Sequence, residues 1–382
     1  MVDAVQAFPL SELRKRKSVK WRNFPSDVLP LPVAELDFPI AESIKQALRE
    51  MIDRSDTGYL GPFPEMFESF RDFSLAKWGW KPDITQMRIA TDVGVGTVEV
   101  IRTLTNPGDK VVLNPPVYEN MWRWIAEVKA ELVEVPLIEN GMEYSMDFEK
   151  LELAYAQGAK VHLLCSPHNP VGIIFNKEDQ VRIAELAKKY GVIVISDEIH
   201  AALTFPGKTF VPFLSVSDAA KEVGICVTSA SKAFNLAGLK CAMIITESEA
   251  LKAKIDAMPL SVAFRASLFG AVAATAAFSS AQAWLDGALM TLDQNRRLIR
   301  TLIDSKIPAI GYRVPDFGYL AWLDISNLGL GEDPTKTLLE QGKLAVNSGT
   351  VYSPRHKNHV RLNFGTSGEI IEEAFHRMLR CI

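Results

Sequence analysis

The chain has 382 residues, 48% of them hydrophobic and 23% charged, with a formal net charge of −4. That is the composition of a globular protein with a large core, and its mild acidity gives no electrostatic case for binding nucleic acid or an anionic membrane. Four cysteines, Cys165, Cys226, Cys241 and Cys381, lie far apart without a CxxC pair, which argues against a disulfide framework or a zinc site and for reduced thiols in the cytoplasm.

Taken from the N-terminus, "MVDAVQAFPLSELRKRKSVKW" has no basic stretch followed by an apolar run, so no secretory signal is expected. The middle of the chain alternates short apolar runs with amphipathic segments. Strands are expected at 110–116, 160–170, 191–198, 224–232 and 241–246, mostly as continuous apolar runs of the kind covered on both faces. The clearest helix is 177–190, with Val181, Ala184, Leu186, Ala187 and Tyr190 facing a core, Asn176 capping its start and Gly191 ending it. This alternation predicts an α/β domain with a largely parallel sheet.

Residues 266–285 carry no charge for twenty positions but are mostly Ala and Ser, with Gln282 inside. They are expected to form a helix buried between domains, not a membrane span. Beyond it, a long helical stretch, "GYLAWLDIS" and "GTVYSPRHKNHVRLNFGTS" predict a smaller α+β domain closed by a C-terminal helix. The expected division is an N-terminal segment (1–45) packing on the small domain, a large domain (46–275) and the small domain (276–382).

Ligands of α/β sheets gather beyond the carboxyl ends of the strands. Those ends carry Tyr118, the run Ser166-Pro-His-Asn169-Pro-Val-Gly172, then Asp197, Glu198 and His200, and finally Ser231-Lys232. Singly, each has a plain structural reading: Asn169-Pro170 a turn, Asp197 a helix cap, Tyr118 a core aromatic. Together, a carboxylate, an aromatic, an amide and a lysine are what an aldehyde-bearing pyridine phosphate requires. The lysine forms a Schiff base, and the carboxylate keeps the ring nitrogen protonated so that the ring accepts electrons.

The motifs "SPHNPVG" (166–172), "SDEIHAALTF" (196–205), "SASKAFNLAGLK" (229–240) and "VRLNFG" (360–365) resemble those of fold-type I pyridoxal-phosphate (PLP) enzymes of the class I/II aminotransferase superfamily. The stretches 20–48 and 58–62, with "DEIHAAL", resemble the MalY/PatB subgroup of cystathionine β-lyases, or C–S lyases.

This resemblance implies the PLP-dependent transferase fold and a homodimer with shared active sites. It also implies α,β-elimination from sulfur amino acids, with transamination as the alternative. Lys232 would be the Schiff-base lysine and proton-transfer base, Asp197 the partner of the ring nitrogen, and Asn169 and His200 neighbours of the phenolic oxygen. Tyr118 would stack on the ring. The phosphate would be held by Ser229, Ser231 and Lys240, by Gly94, Gly96 and Thr97 at a helix start, and by Tyr59 of the neighbouring subunit. Arg361 would bind the substrate α-carboxylate, with Glu35 and Tyr59 bordering the substrate. The chain departs from common superfamily patterns at Lys240, often arginine, and at Pro32 and Glu35-Leu36, where tryptophan and Asp-Met are frequent.

Overall fold

A computed structural model describes residues 3–382. The expected strands form one seven-stranded sheet together with two not anticipated, Met87–Ala90 and Glu131–Glu134. Its order from one edge is Met87–Ala90, Ala242–Thr246, Gly224–Thr228, Ile193–Asp197, Ala159–Cys165, Lys110–Leu113, Glu131–Glu134. Six of the seven strands point the same way; Ala242–Thr246 alone is reversed, antiparallel to both its neighbours. The central strands Ile193–Asp197 and Gly224–Thr228 are buried along almost their whole length, which is why they read as unbroken apolar runs.

The helix Lys177–Tyr190 has the expected ends: the Asn176 side chain accepts the Asp179 N–H at 2.7 Å, and Gly191 takes a left-handed φ of 69°. Its buried face includes Ala184, Leu186 and Ala187, but also Gln180 and Ile183, with Val181 and Tyr190 only half-buried.

The uncharged stretch 266–285 is not one helix. It comprises Leu268–Ser280 and the start of Gln282–Lys306, which meet at an angle of 81° at Ala281, so residue 275 lies inside the first of them. Ala-rich composition marks helix but carries no signal for a bend. Among the described residues, no single helix is long and apolar enough to cross a membrane.

A second, four-stranded antiparallel sheet has the order Gly311–Tyr312, Leu320–Asp324, His359–Asn363, Asn347–Ser348. The N-terminal segment is bound to this part of the chain. Leu29–Pro30 pairs in parallel with Leu344–Ala345, and Asn363 Nδ2 donates to the Val33 and Glu35 carbonyls at 2.6 and 2.7 Å. Farther along, a fully buried Asp37–Lys20 ion pair (2.8 Å), joined by the Trp21 indole N–H, anchors the segment. A buried pair of this kind demands fixed geometry, and so fixes where residues 32–36 run.

Candidate active site

The register of the large sheet brings the predicted residues together. Cys165, Asp197 and Val227 sit opposite one another on adjacent parallel strands. Asn169 follows the first of these strands by four residues and Lys232 follows the third by four, so both emerge at the same carboxyl edge. The chain goes from Lys110–Leu113 to one side of that strand and returns on the other, which opens a crevice at this edge. A cavity of about 620 Å³ occupies it, bordered by Tyr118, Asn169, Asp197, His200, Lys232 and Arg361.

Lys232 faces the cavity, and its Nζ donates to the Ala34 carbonyl at 3.0 Å. Burial and the Arg361 charge lower its pKa to about 8, which brings a nucleophilic amine within reach near neutral pH. Asp197 is buried, and that burial raises its carboxyl to about 6; its Oδ1 accepts only the Ile199 N–H, at 3.2 Å. A cation placed beside it would restore the ionised form. Burial pushes His200 down to about 3, so its imidazole is neutral, and its Nδ1 has no partner. The ring packs against Phe317 and Tyr319.

Arg361 is buried on His359–Asn363 and donates to Asn169 Oδ1 and the Pro32 carbonyl, each at 3.1 Å, while Nε is unpaired. The first contact turns the Asn169 amide so that its oxygen faces Arg361 and its Nδ2 remains available as a donor. Tyr118, half-buried, accepts a hydrogen bond from Asn120 at 2.5 Å and meets Trp124 edge-on at 5.8 Å.

At the opposite end of the cavity the helix Val93–Leu104 presents its N-terminus. Val93, Gly94 and Val95 border the cavity with Ser231 and Lys240. Gly94 is needed for close approach, because a side chain there would press on Trp124, 3.1 Å from its Cβ. Lys240 pairs with Asp92 at 2.8 Å, and Asp92 also caps the helix through the Val95 N–H.

Several expected residues stand elsewhere. Ser229 does not border this cavity; its hydroxyl donates to the Cys241 carbonyl at 2.6 Å and contacts Ser231 Oγ at 2.7 Å, so it supports Ser231 instead of reaching a ligand. Gly96 and Thr97 lie one turn into the helix and away from the cavity, Gly96 packed on Ala90 and Ile244. Pro32, Val33 and Ala34 border the cavity where Glu35 does not. Tyr59 is 83% exposed and stacks on Phe264 at 5.1 Å, outside its own chain's cavity. Missed by sequence reasoning were Asp92, Glu119, Trp124 and Asn347, all at the cavity. Only Asp92 had a readable signal, as a cap before a helix.

These residues fit pyridoxal phosphate. A lysine of lowered pKa, an underpartnered buried carboxyl, an amide donor and an aromatic surround one end, and a helix N-terminus with a lysine and a serine forms the other. Among the described residues no cluster of three metal-ligating side chains is present.

Comparison with known proteins agrees with this geometry. Over 406 residues the chain is 38% identical to a putative cystathionine β-lyase of Mycobacterium tuberculosis, covering 99% of this chain and 98% of the relative. It is 31% identical to the cystathionine β-lyase PatB of Bacillus subtilis, over 95% of this chain and 96% of that one. The solved structure of a putative PLP-dependent β-cystathionase from Corynebacterium diphtheriae superposes with a TM-score of 0.94 at 29% identity, covering 99% of each chain. The profile of aminotransferase class I and II matches residues 26–378, and the chain belongs to that family.

Proposed function

We propose that this chain is a PLP-dependent carbon–sulfur β-lyase, which splits cysteine thioethers such as L-cystathionine into pyruvate, ammonia and a thiol. The observation that carries the reading is one cavity holding Lys232, Asp197, Asn169 and Arg361. Relatives named cystathionine β-lyase across nearly the full length support elimination over transamination.

Bound PLP supplies an electrophilic aldehyde and a ring that accepts electrons from the substrate Cα. Lys232 Nζ would hold the cofactor aldehyde, and the same amine is the base that would take the substrate Cα proton. Asp197 would keep the ring nitrogen protonated, Asn169 would donate to the phenolic oxygen and Tyr118 would cover the ring face. Arg361 fixes the α-carboxylate with its guanidinium fork. The pair left on Cα after proton loss, stabilised by the electron-accepting group, becomes the Cα=Cβ bond as the Cβ–S pair leaves with the thiolate; hydrolysis then gives pyruvate and ammonia. With L-cystathionine the thiol is homocysteine, so the proposal includes a role in methionine biosynthesis, with the cytoplasm as its location.

The active unit is read as a homodimer, with Tyr59 completing the phosphate site of the neighbouring subunit. Its outward position against Phe264, itself 57% exposed, supports this. The test is pyruvate release from L-cystathionine by PLP-loaded protein without added keto acid. Lys232→Ala should lower that rate at least a thousandfold; a variant that keeps it would remove Lys232 from the chemistry.

A further inference from the structure

The guanidinium of Arg361 has a face as well as an edge, and the face is occupied. Its Cζ lies over the Tyr352 ring, 4.8 Å from the centroid. That ring is fully buried and held from several sides. Trp322 meets it edge-on at 5.5 Å, the Tyr352 carbonyl accepts the Val117 N–H at 3.1 Å, and the Tyr352 N–H donates to the Gly349 carbonyl at 3.0 Å. The hydroxyl accepts from Asn347 Nδ2 at 2.8 Å. Asn347 stands directly across from Arg361 on the adjacent antiparallel strand. Its Nδ2 also donates to the Pro32 carbonyl at 3.2 Å, the same oxygen that takes Arg361 Nη2. Arg361, Pro32, Asn347 and Tyr352 thus close a ring of contacts, in which Asn347 fixes the tyrosine and the tyrosine underlies the arginine.

Arginine is a long, rotamer-rich side chain, and freezing it costs entropy. An aromatic face draws the cation to one place above it, and does so most strongly where water is excluded. The hydrogen bonds to Asn169 and Pro32 fix the edge of the guanidinium, and the Tyr352 ring fixes its tilt. Arg361, Asn347 and Pro32 border the cavity and Tyr352 does not, so the tyrosine acts through the arginine. We propose that Tyr352 is a positioning residue, whose ring face holds the Arg361 guanidinium ready for the substrate α-carboxylate. The inference rests on the role given to Arg361 above and adds what aims that group.

L-Alanine and ethylamine differ by the carboxylate alone, and neither carries a leaving group. Both are read by equilibrium titration of the cofactor absorbance in PLP-loaded protein, independently of turnover. Wild type is expected to bind L-alanine about a hundredfold more tightly than ethylamine. Tyr352→Leu should cut that ratio about tenfold or more. Tyr352→Met, which fills space without an aromatic face, should do the same and decides the matter if the leucine variant does not fold. Tyr352→Phe keeps the face and should stay within about threefold of wild type. A general loosening of the fold would weaken both ligands alike and leave the ratio where it was. An unchanged ratio in Tyr352→Leu, with the ratio lost in Arg361→Leu, would overturn the role of Tyr352 and leave that of Arg361 intact. A ratio unchanged in Arg361→Leu would overturn both.

Discussion

At the residue scale the site is built by burial. Asp197 and the adjoining Glu198 are raised to about 6 and about 7 because protein replaces water around them. The folded chain therefore holds these protons more tightly than the unfolded chain. Their contribution to stability is full below about pH 4 and is lost as pH rises through 6 to 7. In the proposed reading PLP would reverse this for Asp197 by placing a protonated ring nitrogen beside it. Asp197→Asn should accordingly stabilise the cofactor-free protein by about 2 kcal/mol at pH 8 but hardly at pH 4. The same change should lower kcat of the loaded enzyme about a hundredfold or more. Urea unfolding at the two pH values checks the first part, and equal effects at both would contradict the burial argument.

At the element scale, the strands and the helix Lys177–Tyr190 were legible because apolar runs, caps and period-3.6 spacing are local signals. Lys232, Asp197, Asn169 and Arg361 were legible through their motifs. What was not legible depends on packing. Ser229 and Ser231 are two residues apart in one motif, yet only Ser231 reaches the cavity, because the Cys241 carbonyl captures the Ser229 hydroxyl. Glu119 could be placed at the cavity only once the chain had folded round it.

The helix Leu268–Ser280 shows a similar dependence. Its Gly270 abuts Leu239 and Cys241, in the turn that carries Lys240, and the Ser267 N–H donates to the Lys240 carbonyl at 3.0 Å. A Cβ at 270 would lie 2.8 Å from Cys241 Cβ. Gly270→Ala should cost about 1–3 kcal/mol and weaken PLP binding about tenfold by displacing Lys240. Gly238→Ala, in open space, serves as the control. Equal PLP affinities for the two variants, measured by equilibrium dialysis, would deny the helix this role.

At the scale of the whole molecule, the cavity is shared between parts of the chain distant in sequence. The run 32–36, whose first three residues border it, is tied to Arg361, Asn363, Tyr319 and Asn235 and anchored by buried Asp37. A homodimer would add the partner's tyrosine to this arrangement. Light scattering should then give twice the chain mass of 42.3 kDa, and Tyr59→Ala should weaken PLP binding without changing the secondary structure. A fully active monomer would contradict the shared site.

The central claim is elimination at Cβ, and one titration addresses it: pyruvate formation from L-cystathionine by the PLP-loaded protein across rising concentrations of 2-oxoglutarate, starting from none. The lyase account predicts sustained turnover without keto acid and a rate independent of it. Turnover that starts only when keto acid is added, with glutamate as the product, would contradict it and identify an aminotransferase.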